Sequence, residues 1–400
     1  MKHTNRSNLI FAVLFMVLCS LSLLGAIIPA LSLGPVMTEK RDLATIPASS
    51  ETTLAQWPNA IEAWFDDHFG FRAMLVRINS LFRYRAFNMS SSRTVLPGRD
   101  GWLFYDGRGV RGGDPRRNHL AQLPDEHEQL FSALKDQYLH NDQYFAAQGR
   151  TYLIVIVPDK WSVYAEQLPA SVGAPAEQTS ADLFVAYLRA ETDLKILDLK
   201  TYMRENRWRY GPLYHQIDSH WNQLGAYVAA QEVSRFVSQY DERVAPLGPV
   251  PAVSWQPRSH GDLVSLLGLE GWLLENEPIV DPGLLADFET EHFPKPSNST
   301  NHKRFPIRTS QPRPDLAKLL IMRDSYGDGI LPWLAPSFQE VKWVWTSNIR
   351  HANIQPVVDQ VDPSIVIEEK AEKYLMFPIR YFTAPGRGAV RLHPGKGGGK

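Results

Sequence analysis

The chain is 400 residues long, 44% hydrophobic and 21% charged, with 42 basic residues against 43 acidic ones. That length and apolar content suffice for one large domain or two ordinary ones, and with the charges balanced no global field points to nucleic acid or an anionic surface. The single cysteine, Cys19, lies in an N-terminal apolar run, so the rest of the chain has no disulfide, thiol nucleophile or thiolate metal site.

Lys2, His3 and Arg6 precede a nearly continuous apolar run from Leu9 to Leu33. A secretory signal core spans about 7–15 residues, whereas a bilayer span needs about 20. The run predicts an uncleaved signal-anchor over residues 1–33, with a cleaved signal as the second reading. The basic residues before it put the N-terminus in the cytoplasm and the body on the other side. Residues 34–56, with Pro35, Pro47 and Ser49-Ser50, read as a stem.

Over 57–87 the apolar spacing is helical, through Ile61, Trp64, Phe65, Met74, Leu75, Ile78, Leu81 and Phe82. A turn at 97–101 leads into a short strand at 102–105, and a helix is expected over 123–148 with an acidic start. Buried strands are then predicted at 152–157, 194–199, 319–322, 341–345 and 365–367, with helices at 181–191, 224–240 and 351–361. Such alternation implies an α/β fold, a mostly parallel sheet covered on both faces, with ligands at the carboxyl ends of the strands. Residues 242–316, rich in proline, interrupt the alternation and read as a partly ordered insertion that walls or lids the site. The organisation is then one domain over 57–384 and a disordered tail at 385–400.

Two stretches carry chemistry. In Asp218-Ser219-His220 the acidic side chain and the imidazole project to one side of an extended segment. In Arg323-Asp324-Ser325-Tyr326 the serine follows the apolar run Leu319-Leu320-Ile321-Met322, where a strand ends. Together they supply acid, base and nucleophile for acyl transfer: His220 takes the Ser325 proton and Asp218 orients and balances the imidazole. The Ser325 amide is a natural oxyanion donor, and Arg323 and Asn348 are further candidates. Spacing alone leaves plainer readings open: Asp218 as a cap for the following helix, Ser325 as a turn residue, His220 as a packed surface histidine. Trp102, Tyr105, Trp161 and Trp221 are either core residues or sugar-stacking surfaces. The histidines show no ligand spacing, so no metal site is expected.

Further segments give these stretches a context. They are Trp64-Phe65-Asp66-Asp67-His68-Phe69-Gly70-Phe71-Arg72, Leu96 to Tyr105 with its Gly101-Trp102-Leu103-Phe104-Tyr105, and Val157-Pro158-Asp159-Lys160 followed by Tyr164 to Pro169. With Asp218-Ser219-His220-Trp221-Asn222 and Arg323-Asp324-Ser325-Tyr326, the chain resembles the alginate O-acetyltransferase family, exported SGNH-hydrolase-like proteins that acetylate bacterial exopolysaccharides. It resembles the shorter, membrane-anchored type. Tyr326 stands where phenylalanine is commoner in that family, and Glu368-Glu369-Lys370 also departs from its pattern.

The resemblance implies a three-layer α/β/α domain with Asp218, His220 and Ser325 as the catalytic residues. It implies an O-acetyltransferase that needs no cofactor, takes acetyl from a membrane-bound O-acyltransferase and passes it to a polysaccharide. The expected place is the inner membrane, with the domain in the periplasm and no nucleic-acid partner. An acetylesterase with the same residues and a non-catalytic scaffold of an export complex are the competing readings.

Overall fold

The computed structural model describes residues 8–17, 20, 44–47, 53, 55–107, 115–123, 125–281, 289–292, 307–345 and 354–375. Most of the predicted anchor, most of the stem and the tail at 385–400 lie outside the described residues. Among the described residues no helix is long and apolar enough to cross a membrane.

The helical pattern at 57–87 resolves into two helices, α1 (Trp57–His68) and α2 (Arg72–Phe87), broken at Phe69-Gly70-Phe71. Asn88 closes α2 in the left-handed region, at φ 50°, a conformation that asparagine tolerates better than most residues. Met74, Leu75, Ile78 and Phe82 of α2 are exposed. The hairpin β1 (Val95–Pro97) and β2 (Leu103–Tyr105) follows, antiparallel across the predicted turn.

The central sheet grows from β3 (Thr151–Val157), an unbroken apolar run suited to burial on both faces. Helix α3 (His127–Ala146) precedes it, and α4 (Ser180–Glu191) and β4 (Ile196–Asp198) follow. The Thr179 side chain accepts from the Asp182 amide and the Asp182 carboxylate from the Thr179 amide, a reciprocal cap that fixes the start of α4. Helix α5 (Gln223–Ser238) is capped by Asn222, whose side chain accepts from the Gly225 amide at 2.9 Å. Asp218 is therefore released from the capping role its position allowed.

Residues 242–316 are more than a wall. They contain the antiparallel pair β5 (Val253–Arg258) and β6 (Glu275–Val280), and the strands β7 (Glu289–His292) and β8 (Ile307–Ser310). After them come β9 (Lys318–Arg323), α6 (Gly327–Leu334), β10 (Glu340–Trp345), α7 (Gln355–Val361) and β11 (Ile365–Ala371). The sheet order is β4-β3-β11-β9-β10-β8-β7. The first five strands are mutually parallel, whereas β8 and β7 pair antiparallel at one edge. The sheet is thus mixed, because chain that the sequence pattern set aside as insertion extends it.

Alternate residues of β3 point into two separate cores. Leu153, Val155 and Val157 join Val228 and Val233 of α5 and Ile330 of α6 on one face. Tyr152, Ile154 and Ile156 join Phe131 and Phe145 of α3, Phe184 of α4 and Val358 of α7 on the other. This is the three-layer α/β/α arrangement. Trp102, Trp161 and Trp221 belong to the first core, at 3%, 2% and 4% exposure, so they are not sugar-stacking surfaces. Tyr105 is half-buried.

Candidate active site

Ser325 sits just past the carboxyl end of β9, in the turn that opens α6. Asp218 and His220 lie in a run of bends over 216–220, not in the expected extended segment, between the bridged residues Tyr214 and Trp221 that precede α5. Across a separation of 105 residues the Ser325 hydroxyl lies 2.9 Å from His220 Nε2, and His220 Nδ1 lies 2.8 Å from Asp218 Oδ1. Asp218 Oδ1 also accepts from the His220 amide at 3.0 Å, which locks the two residues into one geometry. The His220 side chain keeps 31% exposure.

Burial by itself would raise the Asp218 carboxyl. The hydrogen bonds and charge of His220 outweigh it and hold that carboxyl far below the usual carboxylate range. For His220, burial works downward, but the Asp218 hydrogen bond and charge win and the imidazole is raised above its ordinary value. An imidazolium forming next to Asp218 is therefore stabilised, as a base that accepts the Ser325 proton requires.

The second oxygen of Asp218 has its own partners, which the sequence pattern did not signal. Arg258 Nη2 donates to Oδ2 at 3.3 Å and the Asp262 amide donates at 3.1 Å. Arg258 comes from the end of β5 and is held in turn by Glu277, 3.4 Å from Nη1, and by the His260 carbonyl, 2.8 Å from Nε. The Asp262 carboxylate accepts from the Ser219 amide at 2.8 Å and from the Ser219 hydroxyl. The segment read as an insertion thus supplies the groups that orient the carboxylate. A strand arginine among prolines, followed by Gly261-Asp262, carried no local mark of that role.

Asp218, His220 and Asp262 also bring ligand atoms within 4.8 Å of one another, a grouping invisible to histidine spacing. Its donors are already engaged by Ser325, Arg258 and Ser219.

Lys160, three residues past β3, braces the same segment. It is buried, and its Nζ donates to the carbonyls of Leu103 at 2.5 Å, Gln216 at 2.9 Å and Asp218 at 3.0 Å. Burial pulls the amine down to about 7, against the opposing carboxylates of Glu275, Asp218 and Asp262. Lys160→Met keeps most of the stem volume but strips three buried carbonyls of a donor, at roughly 1–3 kcal/mol for each left unsatisfied. Denaturant unfolding is expected to show a loss of about 2–5 kcal/mol. A loss within experimental error would remove Lys160 as the brace.

The floor under Ser325 is a carboxylate pair. Asp324 Oδ1 accepts from the Tyr326 amide at 2.9 Å and Oδ2 from the Ala371 amide at 2.8 Å, while Glu369 Oε2 accepts from the Asp324 amide at 2.9 Å. Burial first, then the charge of Asp324, pushes Glu369 well above the usual carboxyl range. A carboxyl raised on folding contributes stability that is full below its unfolded value, near 4.3, and is lost as pH rises through the folded value. Glu369→Gln keeps an oxygen acceptor for Asp324 and removes the ionisation. It should leave stability at neutral pH unchanged or raised and flatten its dependence on pH above about 4. Glu369→Ala, which deletes the acceptor, should cost about 1–3 kcal/mol. Thermal melts across pH distinguish these outcomes.

Of the predicted oxyanion donors, Arg323 is fully buried. Its Nη1 donates to the Asp324 carbonyl at 3.1 Å and pairs with Asp328 at 2.7 Å, so it is committed to shaping the turn. That turn also requires Gly327, where an added Cβ would lie 2.6 Å from Arg323 Cδ and 3.1 Å from Glu369 Oε2. Asn348 lies outside the described residues. Next to the site, a cavity of about 480 Å³ opens between α5, β6 and α6, bordered by Trp221, Asn222, Asp328 and Trp333.

Comparison with known proteins follows the same lines. Residues 95–301, just over half of the chain, match the family described as SGNH hydrolase-like domain, acetyltransferase AlgX. The match includes Asp218 and His220 and stops short of Ser325. "Probable alginate O-acetylase AlgJ" of Pseudomonas syringae pv. tomato is 26% identical over 58% of this chain and 56% of its own length. The protein of the same description from Pseudomonas aeruginosa is 24% identical over 62% of this chain and 59% of its own length. The chain therefore spans little more than half the length of these curated relatives. Among solved structures, the O-acetyltransferase domain of Pseudomonas putida AlgJ is 20% identical, with a TM-score of 0.43, over 71% of this chain and 92% of that one. At that score the likeness establishes nothing beyond the family match. On the extent of that match, the chain belongs to the family of the SGNH hydrolase-like domain of the acetyltransferase AlgX.

Proposed function

We propose that this member of an acetyltransferase family moves an acetyl group, by way of an ester on Ser325, to a hydroxyl of an exported polysaccharide. The observation that carries the reading is the continuous line from Asp218 Oδ1 through His220 to the Ser325 hydroxyl, at 2.8 and 2.9 Å. In the first half-reaction Ser325 Oγ attacks the acetyl carbonyl and its proton passes to His220 Nε2. The carbon–oxygen bond to the donor then breaks, and the donor leaves with that proton. In the second, a sugar hydroxyl gives its proton to His220 and attacks the seryl ester; Ser325 regains the proton as its bond to acetyl breaks. Asp218 holds the Nδ1 proton in place throughout, and the Ser325 amide is the oxyanion donor of this reading.

The donor of this reading is a membrane-bound O-acyltransferase and the place is the periplasmic side of the inner membrane, held there by the apolar run Leu9 to Leu33. What supports that placement is the basic flank of the run and its length. A chromogenic acetyl ester, supplied with and without an oligosaccharide acceptor, separates the outcomes. Acetyl trapped on Ser325 by mass spectrometry, then found on the sugar, is expected. Hydrolysis indifferent to every acceptor, with no acetylated sugar, points to an esterase instead.

A further inference from the structure

Helix α2 holds the domain with Leu81 and Tyr84 and with two polar anchors. Arg77 donates to the carbonyls of Gly268 at 2.9 Å and Glu270 at 2.5 Å, and Ser80 donates to that of Leu267 at 2.7 Å. Its other side is apolar and uncovered. Met74, Leu75, Ile78 and Phe82 are 40%, 52%, 42% and 59% exposed, and their spacing of three, four and seven residues puts them on one stripe. Beside it, Trp272 takes the Arg77 guanidinium over its ring at 4.5 Å and is itself 37% exposed; Leu274 is 68% exposed. Single exposed apolar residues need no explanation, but a stripe on one helix with a tryptophan next to it marks a surface that meets something.

Charge identifies the occupant. Helix α2 has no acidic residue, and besides the buried anchor Arg77 it carries Arg72, Arg83 and the exposed Arg85. Basic side chains flanking an apolar stripe suit anionic headgroups above an acyl layer, and tryptophan favours that boundary. Residues 8–17 point the same way: they are helical, with Leu9, Phe11, Leu14 and Phe15 exposed, in the run that ends only at Leu33. The link from there to α1 reaches about 80 Å when extended, long enough for α2 to lie on a bilayer that takes up the run. The geometry points to α2, with Trp272 and Leu274, as a face that lies on an anionic phospholipid bilayer. Its apolar side chains enter to a depth of about 5–10 Å, and Arg83 and Arg85 stay among the headgroups. This face does not depend on whether Ser325 carries acetyl.

The test uses the full chain bound to protein-free vesicles of phosphatidylethanolamine and phosphatidylglycerol with brominated acyl chains. In a Cys19→Ser background, an environment-sensitive dye is placed on Phe82→Cys or, as a control on α4, on Glu191→Cys. The dye at 82 is expected to shift to the blue and to be quenched, while the dye at 191 stays in water. Replacing phosphatidylglycerol by phosphatidylcholine, or reversing Arg83 and Arg85 to glutamate, should cut occupancy by about fivefold per lost charge interaction. Equal quenching at 82 and 191, or none at 82, overturns the proposal. Shielding of position 82 only in native membranes, and not in protein-free vesicles, also overturns it and assigns the face to a protein partner.

Discussion

Ser325→Ala is expected to leave no acetyl-enzyme and to lower turnover by about 10⁴–10⁶-fold, with the melting temperature close to that of the parent chain. The substitution deletes one oxygen in a turn whose shape is set by other groups: Asp324, Glu369, Arg323 and Gly327. His220→Ala should cost about as much, since in the proposed mechanism the imidazole 2.9 Å away is the base that activates the hydroxyl. The double variant should be scarcely worse than either single one, because both residues act in one proton transfer. Mass spectrometry of protein quenched during turnover, together with acetylated-sugar yield, gives the readout. Undiminished sugar acetylation by folded Ser325→Ala would leave a scaffold role as the better account.

The second large effect concerns pH. A base must be neutral to take a proton, so activity falls as pH drops through the His220 value. Asp218 raises that value, which puts the acid limb above the ordinary histidine pKa, near 6.5. In Asp218→Asn the limb should move to lower pH, because the charge that favoured the imidazolium is gone. The rate on the plateau should nevertheless fall by about 10³–10⁴-fold, because an amide no longer enforces the Nδ1–H tautomer or stabilises the cation. Arg258→Met is the milder relative: it removes one donor to the outer oxygen of Asp218, at 3.3 Å, and leaves the His220 contact in place. A pH–rate profile of kcat/KM for Asp218→Asn whose acid limb keeps its place would mean that this carboxylate does not set the imidazole.

The central site residues were legible because their geometry is local. Asp218 and His220 are two positions apart and Ser325 ends an apolar strand, and both marks survive in the order of residues, although the segment around His220 bends where an extended one was expected. The residues that hold them were not. Lys160 stood out only as part of a segment that carries the family resemblance, with no role attached, yet it ties three carbonyls from two distant segments. Arg258 and Asp262 looked like insertion. The last strand was expected at 365–367 but runs to Ala371, with Glu368, Glu369 and Lys370 buried. Three charges in a row normally signal a surface, and only the partners awaiting them reverse the signal. Glu368 takes the Tyr152 hydroxyl and lies 3.2 Å from Lys370, while Glu369 takes the Asp324 amide. Of the aromatic residues that the sequence left between core and sugar stacking, Trp102, Trp161 and Trp221 are core.

The order of residues by itself determined most of the alternation of strands and helices and the pairing of Asp218 with His220. Period, capping and turn chemistry act over a few residues and are written where they operate. The tertiary structure alone decided that His220 meets Ser325, that β7 and β8 extend the sheet, and that the apolar stripe of α2 faces outward. Those outcomes join residues tens to hundreds of positions apart, and they follow from how side-chain volumes and buried charges are jointly satisfied once the layers close.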